Sequence, residues 1–273
     1  MSRKASRVVT IVLLGLLAGG WKAAAADEKP TPPEGTRSSP AQGETQGPAE
    51  RRPALTSEQR ADLFMARKSY AEAVDFYRRA LHAEGRNRAD LWTKLGVAYQ
   101  DLSNNSAARN AYKRAIKLDK SNAEAWNNIG TTYYLENRIG KSLKYYRQAI
   151  KLKPSNAPFH MNLGTSLYHQ KKIEQAVEEY RTALELDPGI FSERSSGGTV
   201  MQARGADAKF YFYMAKVLAG KGRAEEAVRY LRRAFEDGFH DTKLLDEDKD
   251  FKKISDFPAY VELRANPPKA IGE

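Results

Sequence analysis

Small and apolar residues recur along the middle of the chain with a helical period set inside a longer one. Between Ala123 and Asn156, Trp126, Ile129, Gly130 and Tyr133 fall at i, i+3, i+4 and i+7, the spacing that gathers side chains on one face of a 3.6-residue helix. Ser142, Tyr146, Ala149 and Ile150 do the same in a second helix, and Pro154 ends it, because proline lacks an N–H and disfavours helical geometry in the residue before it. Gly130 and Ser142 are small and twelve residues apart, so the two predicted helices can approach closely with Tyr146 alongside. A hairpin of this size cannot bury both of its apolar faces. It needs neighbours stacked on either side.

The flanking sequence supplies them. Trp92, Leu95, Gly96 and Tyr99 precede Trp126, Ile129, Gly130 and Tyr133 by 34 residues each, and Ala108, Tyr112 and Ala115 precede Ser142, Tyr146 and Ala149 by the same 34. Thirty-four further on stand Leu163, Gly164, Leu167, Ala176, Tyr180, Ala183 and Pro188. The pattern resembles the tetratricopeptide repeat, with its W, L-G, Y, A, F/Y, A, P positions. Upstream, Ala61, Phe64, Ala73, Tyr77 and Ala80 fit it; downstream, Met214, Ala215, Leu218, Ala227, Leu231 and Ala234 do. All five copies keep two small residues twelve apart and an Ala seven residues later.

The resemblance implies an all-α fold, a right-handed α-solenoid of about five helical hairpins with a C-terminal helical cap. The repeats are expected at 54–87, 89–122, 123–156, 157–190 and 208–241, with one residue inserted before the second and a loop at 191–207. In the first repeat Thr56 and Ser57 are candidate N-caps, and Ser57 and Arg60 replace the Trp and Leu seen later, which suits a terminal repeat whose outer face meets water. In the fifth, Tyr211 takes the Trp position, so Phe212 and Tyr213 must cover something else. Beyond it the period stops. Leu244, Leu245, Phe251, Ile254, Phe257, Tyr260 and Leu263 predict short amphipathic helices in a capping segment, 242–273, with Ser255 or Asp256 capping the last and Pro258 in its first turn.

Residues 1–26 read as a secretory signal peptide: Arg3, Lys4 and Arg7, then the apolar run Val8 to Ala18, then Ala24-Ala25-Ala26. Export to the periplasm or beyond is the expected destination. Residues 27–53 lack Leu, Ile, Val and aromatics, so they cannot bury enough apolar surface to order themselves and read as a disordered linker. The formal net charge is +11, and removing the four basic residues of the signal leaves 11 − 4 = +7, moderately basic. There is no cysteine, which excludes a disulfide framework and any thiolate site.

Motifs for catalysis are missing. The sequence has no Gly-rich phosphate loop, no H-E-x-x-H and no nucleophile elbow, and His82, His160, His169 and His240 share no metal-ligand spacing within one helix. His160 stands at the position of Trp92 and Trp126, which suits packing better than ligation. No enzyme activity, cofactor, metal or nucleic acid is expected.

Binding is the better expectation. In repeats of this kind the first helix lines a concave surface, so residues one, five and eight places after the Trp position are expected in a groove for a partner protein or peptide. These are Thr93, Val97 and Gln100; Asn127, Thr131 and Tyr134; Met161, Thr165 and Tyr168 with His169 beside them; and Phe212 and Lys216. Aromatic, Met and amide side chains offer apolar pockets and backbone hydrogen bonds to an extended peptide. The Lys and Asn pair with which some relatives clamp a C-terminal carboxylate occurs in no repeat, whereas Asn128 and Asn162 match ordinary repeat positions. The alternative surface is the second helices, dense in Lys113, Arg114, Lys117, Lys141, Lys144, Arg147, Lys151, Arg229, Arg232 and Arg233, which could bring the chain peripherally to an anionic envelope lipid or polymer.

Overall fold

A computed structural model describes residues 54–83, 85–191 and 207–271. The predicted signal peptide, the linker and the interior of the 191–207 loop lie outside them. The described residues are helical with no strand, and none of their helices is long and apolar enough to cross a membrane. Five hairpins follow one another: α1 (Ser57–Ala66) with α2 (Tyr70–Ala83), α3 (Ala89–Asp101) with α4 (Asn105–Leu118), α5 (Ala123–Leu135) with α6 (Ile139–Leu152), α7 (Ala157–His169) with α8 (Ile173–Leu186), and α9 (Ala208–Gly220) with α10 (Ala224–Glu236). Each second helix packs on its own first helix, and the first four also pack on the first helix of the next hairpin, so the fold is a solenoid.

Within a hairpin the close approach comes from the small residues. A Cβ built on Gly96, Gly130 or Gly164 would stand 2.3, 2.7 or 2.6 Å from the ring of Tyr112, Tyr146 or Tyr180, the aromatic residue of the facing second helix. These rings are wholly buried. Their phenols still need partners, because a buried hydroxyl without one is costly. Tyr77, Tyr146 and Tyr180 donate to an acceptor fifteen residues earlier, Asp62 at 2.6 Å, Thr131 at 3.2 Å and Thr165 at 3.4 Å. In the second repeat that place is held by Val97, which cannot accept, and Tyr112 donates to Gln100 at 3.2 Å instead.

The turn between the two helices is the same each time. Lys68, Ser103, Asn137, Lys171 and Gly222 have φ of 59, 61, 60, 63 and 72°, the left-handed conformation that ends many helices. In every case the amide of this residue and the next bond back to carbonyls three and five residues earlier: Asn137 to Tyr134 and Arg138 to Tyr133, for example, or Lys171 to Tyr168 and Lys172 to Leu167. This is the Schellman motif, which satisfies orphan carbonyls at the helix end. Most first helices start on a side-chain cap. Thr56 forms a capping box with Gln59, and Asn122, Asn156 and Asp207 accept from Ala125, Phe159 and Phe210.

After α10 the chain folds back as α11 (Lys243–Glu247), a 3₁₀ turn (Phe251–Ile254) and α12 (Pro258–Ala265). Phe251, fully buried, tilts against Phe212 and stacks on Tyr260. Two ion pairs tie this cap to the array, Asp250 with Arg181 of α8 and Asp248 with Lys216 of α9, and Lys253 donates to the Gly220 carbonyl at 2.6 Å. Pro258 opens α12 as expected, but Phe257 stands at the cap with no side-chain bond; neither Ser255 nor Asp256 caps it, and Ser255 Oγ bonds to Asp256 instead.

Candidate interaction surface

Seven of the twelve residues expected in a groove are buried: Asn127, Thr131, Tyr134, Met161, Thr165, Tyr168 and Phe212. That corrects the expectation that they stand open to a partner, and the contacts give the reason. Asn162 donates from α7 to Asn127 on α5 at 3.0 Å, tying neighbouring first helices together. Thr131 and Thr165 are the acceptors of the Tyr146 and Tyr180 phenols. Met161 lies in the same apolar cluster as Tyr134 and Tyr168. Tyr168 donates to the helix cap Asp207 at 2.6 Å and packs its ring against Phe210, Tyr213 and His169. Phe212 stacks on Phe239 with centroids 4.4 Å apart, and Lys216 pairs with Asp248, so both serve the C-terminal cap.

The other five, Lys216 among them, keep some accessible surface. Thr93, Val97 and Gln100 are half-buried and His169 is exposed. Thr93 nevertheless donates to the Ala89 carbonyl and accepts from Asn122, the cap of α5, each at 3.0 Å. His169 meets the ring of Tyr134 edge-on at 5.4 Å. Beside Thr93 the first helices of repeats one and two carry a charge network that sequence reading missed. Arg88 pairs with Glu58 at 2.6 Å, and Lys94 bridges Glu58 and Asp62, each at 2.9 Å. The bonds from Arg88 and Lys94 hold the Glu58 carboxyl below the usual range.

His160 does what its repeat position asks. Trp92 and Trp126 each donate an indole N–H to the carbonyl six residues earlier, Arg86 at 3.0 Å and Lys120 at 3.2 Å. His160 Nε2 reaches the Pro154 carbonyl at 2.8 Å, while Nδ1 reaches Glu179 at 2.7 Å. Burial opposes its charge, but the bonds to Glu179 and the Pro154 carbonyl outweigh it and raise the imidazole pKa above its ordinary value. With a carboxylate facing one nitrogen and a carbonyl the other, both can donate at once only as imidazolium.

The solvent face of the second helices is cationic. Lys113, Arg114 and Lys117 on α4, Lys141, Lys144, Arg147 and Lys151 on α6, and Arg229, Arg232 and Arg233 on α10 are all exposed. Two clefts open on it. One of about 500 Å³ is lined by Lys144, Arg147, Lys151 and Lys172 together with Gly140, Leu143, Gln148 and Gln170. The other, about 1010 Å³, lies between α2 and α4 over a floor of α3, with Trp92, Leu95 and Tyr99 below and arginines around it.

Residues 93–157 and 136–189 match the family model described as tetratricopeptide repeat. The matched span takes in the second, third and fourth hairpins, so that part of the chain carries tetratricopeptide repeats. Among solved structures it is similar to MamA, at 22% identity over 65% of this chain and 93% of that one with a TM-score of 0.46. It is also similar to PilF of Pseudomonas aeruginosa, at 21% identity over 78% and 91% with a TM-score of 0.49. No curated protein matches it.

Proposed function

We propose that this chain is a non-catalytic adaptor of the cell envelope that holds partner proteins or peptides on its hairpin array. The observation that carries this reading is the array itself. The interior polar side chains are spent on joining helices, as in Asn162 to Asn127 or Tyr146 to Thr131, which leaves the repeated outer surface as the part that can act. Export rests on the pattern of residues 1–26, a basic start, an apolar run and a small-residue cleavage site.

A second reading has its own support. The exposed lysines and arginines of α4, α6 and α10, and the smaller cleft with its four cationic residues, suit contact with an anionic envelope lipid or polymer. Crosslinking and capture of the tagged protein from its own cells, at low and moderate salt, separates the two. A small set of exported proteins retained at moderate salt supports the adaptor. A broad set lost as salt rises supports the surface mode, and capture of nothing removes the adaptor reading.

A further inference from the structure

One position of the second helix decides whether the aromatic edge of the first helix is covered. In the third repeat it is Tyr145, whose ring lies 5.8 Å from Trp126 and 5.3 Å from Tyr133. In the first it is Phe76, stacked on Phe64 at 5.2 Å; in the fourth Glu179, bonded to His160; in the fifth Tyr230, 6.1 Å from Tyr211. In the second repeat it is Ala111. Trp92 and Tyr99, the equivalents of Trp126 and Tyr133, therefore stand without a ring over them, and the cleft of about 1010 Å³ occupies the place. That volume is at the upper end of ordinary ligand pockets, about 300–1,000 Å³.

The rim has a definite sign. Arg78 and Arg79 of α2, Arg86 of the following turn and Arg114 of α4 line the cleft, with Asp75 as the one acidic residue among the described lining residues. All four arginines are exposed. Among the described residues none of them has a carboxylate within 4.0 Å. Instead Arg114 lies over the Trp92 ring at 5.7 Å and Arg79 over Phe76 at 5.0 Å. Guanidiniums held on aromatic faces keep their forks free for carboxylates.

We propose that this cleft seats an acidic linear segment of a partner protein that carries one aromatic side chain. The ring enters over Trp92 and Tyr99, in the space that Tyr145 fills one repeat later, and flanking carboxylates pair with the arginines of α2, the turn and α4. The charge requires acids and the open aromatic floor requires a ring. The chain's own 27–53 segment has acids but no aromatic residue, so the occupant comes from outside. The proposal rests on the adaptor reading and names its site and partner chemistry.

The test uses the full chain and a fluorescein-labelled peptide, GSDEDFDESG, followed by fluorescence anisotropy. Two probes control it, GSDEDADESG without the ring and GSKRKFKRSG with reversed charge. Ala111→Tyr closes the cleft with the residue the third repeat already uses, and binding of the acidic aromatic probe is expected to weaken by about tenfold or more. Ala111 is buried, so its thermal unfolding is recorded alongside; if that variant fails to fold, the exposed changes Arg78→Glu and Arg114→Glu carry the test with the same expected loss. Unchanged binding in the folded variants, or equal binding of the two acidic probes, overturns the proposal. It is also overturned if the variants lose binding to phosphatidylglycerol vesicles but keep the peptide, or if wild type dimerises and Ala111→Tyr does not. Cellular crosslinking of the variants keeps the two claims apart. Partners still captured by Ala111→Tyr at wild-type yield sink the cleft and leave the adaptor standing, whereas no capture by wild type sinks the adaptor.

Discussion

Tyr146 lies so close against Gly130 that a methyl group added there would meet its Cε1 at 2.7 Å. The neighbour is the body of a wholly buried ring, which cannot swing away. Gly130→Ala should therefore destabilise the chain by about 1 to 3 kcal/mol through overpacking, read as a lower urea midpoint at unchanged slope. Gly140→Ala is the control. Its new methyl would come no nearer than 3.8 Å to the Gln170 side chain, and near the start of α6 it should be neutral or stabilise by up to about 1 kcal/mol. Equal losses in the two variants would mean that helix propensity, not the ring, sets the cost.

The left-handed turn residue gives a cleaner measurement, since at Gly222 the added methyl meets nothing within 4 Å. Only the backbone, at φ +72°, is then tested. Gly222→Ala should cost about 1 to 2 kcal/mol and Lys171→Gly, at φ 63°, should change stability less, because relief in the folded state is offset by the freer unfolded chain. A Gly222→Ala protein as stable as wild type would show that this Schellman turn is not held in solution.

These two sites show what was legible in the sequence. The Gly–Tyr approach was readable because a small residue and a ring recur at fixed places in successive repeats. The turn was not, because Lys68, Ser103 and Lys171 carry no left-handed preference, and only Asn137 and Gly222 do. The burial of most of the expected groove residues was illegible for a different reason. Counting places from the Trp gives a face of one helix, but not which part of that face the next hairpin covers. Thr131 and Thr165 could have been recognised as phenol acceptors, since each stands fifteen residues before a repeat Tyr. Ala111 could have been noticed as the one small residue in a row of Phe76, Tyr145, Glu179 and Tyr230.

His160 makes stability depend on pH. Its folded pKa is raised, so its contribution is fully present below the unfolded value of about 6.5 and is lost as pH rises through the folded value. Glu179→Gln removes the charged partner and should cost about 1 to 3 kcal/mol at mildly acidic pH, with the gap to wild type closing as the solution becomes alkaline. His160→Trp restores the single indole donor of Trp126 and should abolish this part of the slope. Parallel stability–pH curves for wild type and Glu179→Gln would refute the assignment.

The cap hangs on a buried carboxylate. Asp250 is 3% exposed and its partner Arg181 reaches across from α8. Asp250→Ala leaves the guanidinium with only the exposed Glu178, 2.7 Å away, and because the Arg181 side chain keeps 22% of its surface in water the cost should fall at or below the about 3 to 5 kcal/mol typical of a broken buried pair. Hydrogen exchange is expected to rise first in residues 243–265 and in the end of α9 beneath them. Uniform acceleration across all hairpins would mean the cap and array unfold as one unit.

Tyr134 and Tyr168 decide whether the first helices are joined by packing. Tyr134 is fully buried and Tyr168 is 5% exposed, between neighbouring hairpins and beside the cap residue Asp207. Truncating either to Ala removes a ring that the surroundings cannot replace, so each change should cost about 3 to 5 kcal/mol. Tyr168→Phe keeps the ring contacts with Phe210 and Tyr213 and loses only the bond to Asp207, a loss of about 0.5 to 3 kcal/mol according to how far the carboxylate regains water. If both Ala variants unfold at the wild-type urea midpoint while partner capture disappears, these tyrosines are contact residues after all and the packing role assigned to them is wrong. If the midpoint falls and Tyr168→Phe still captures partners, they are the joints of the array, and recognition has to be sought on its outer face.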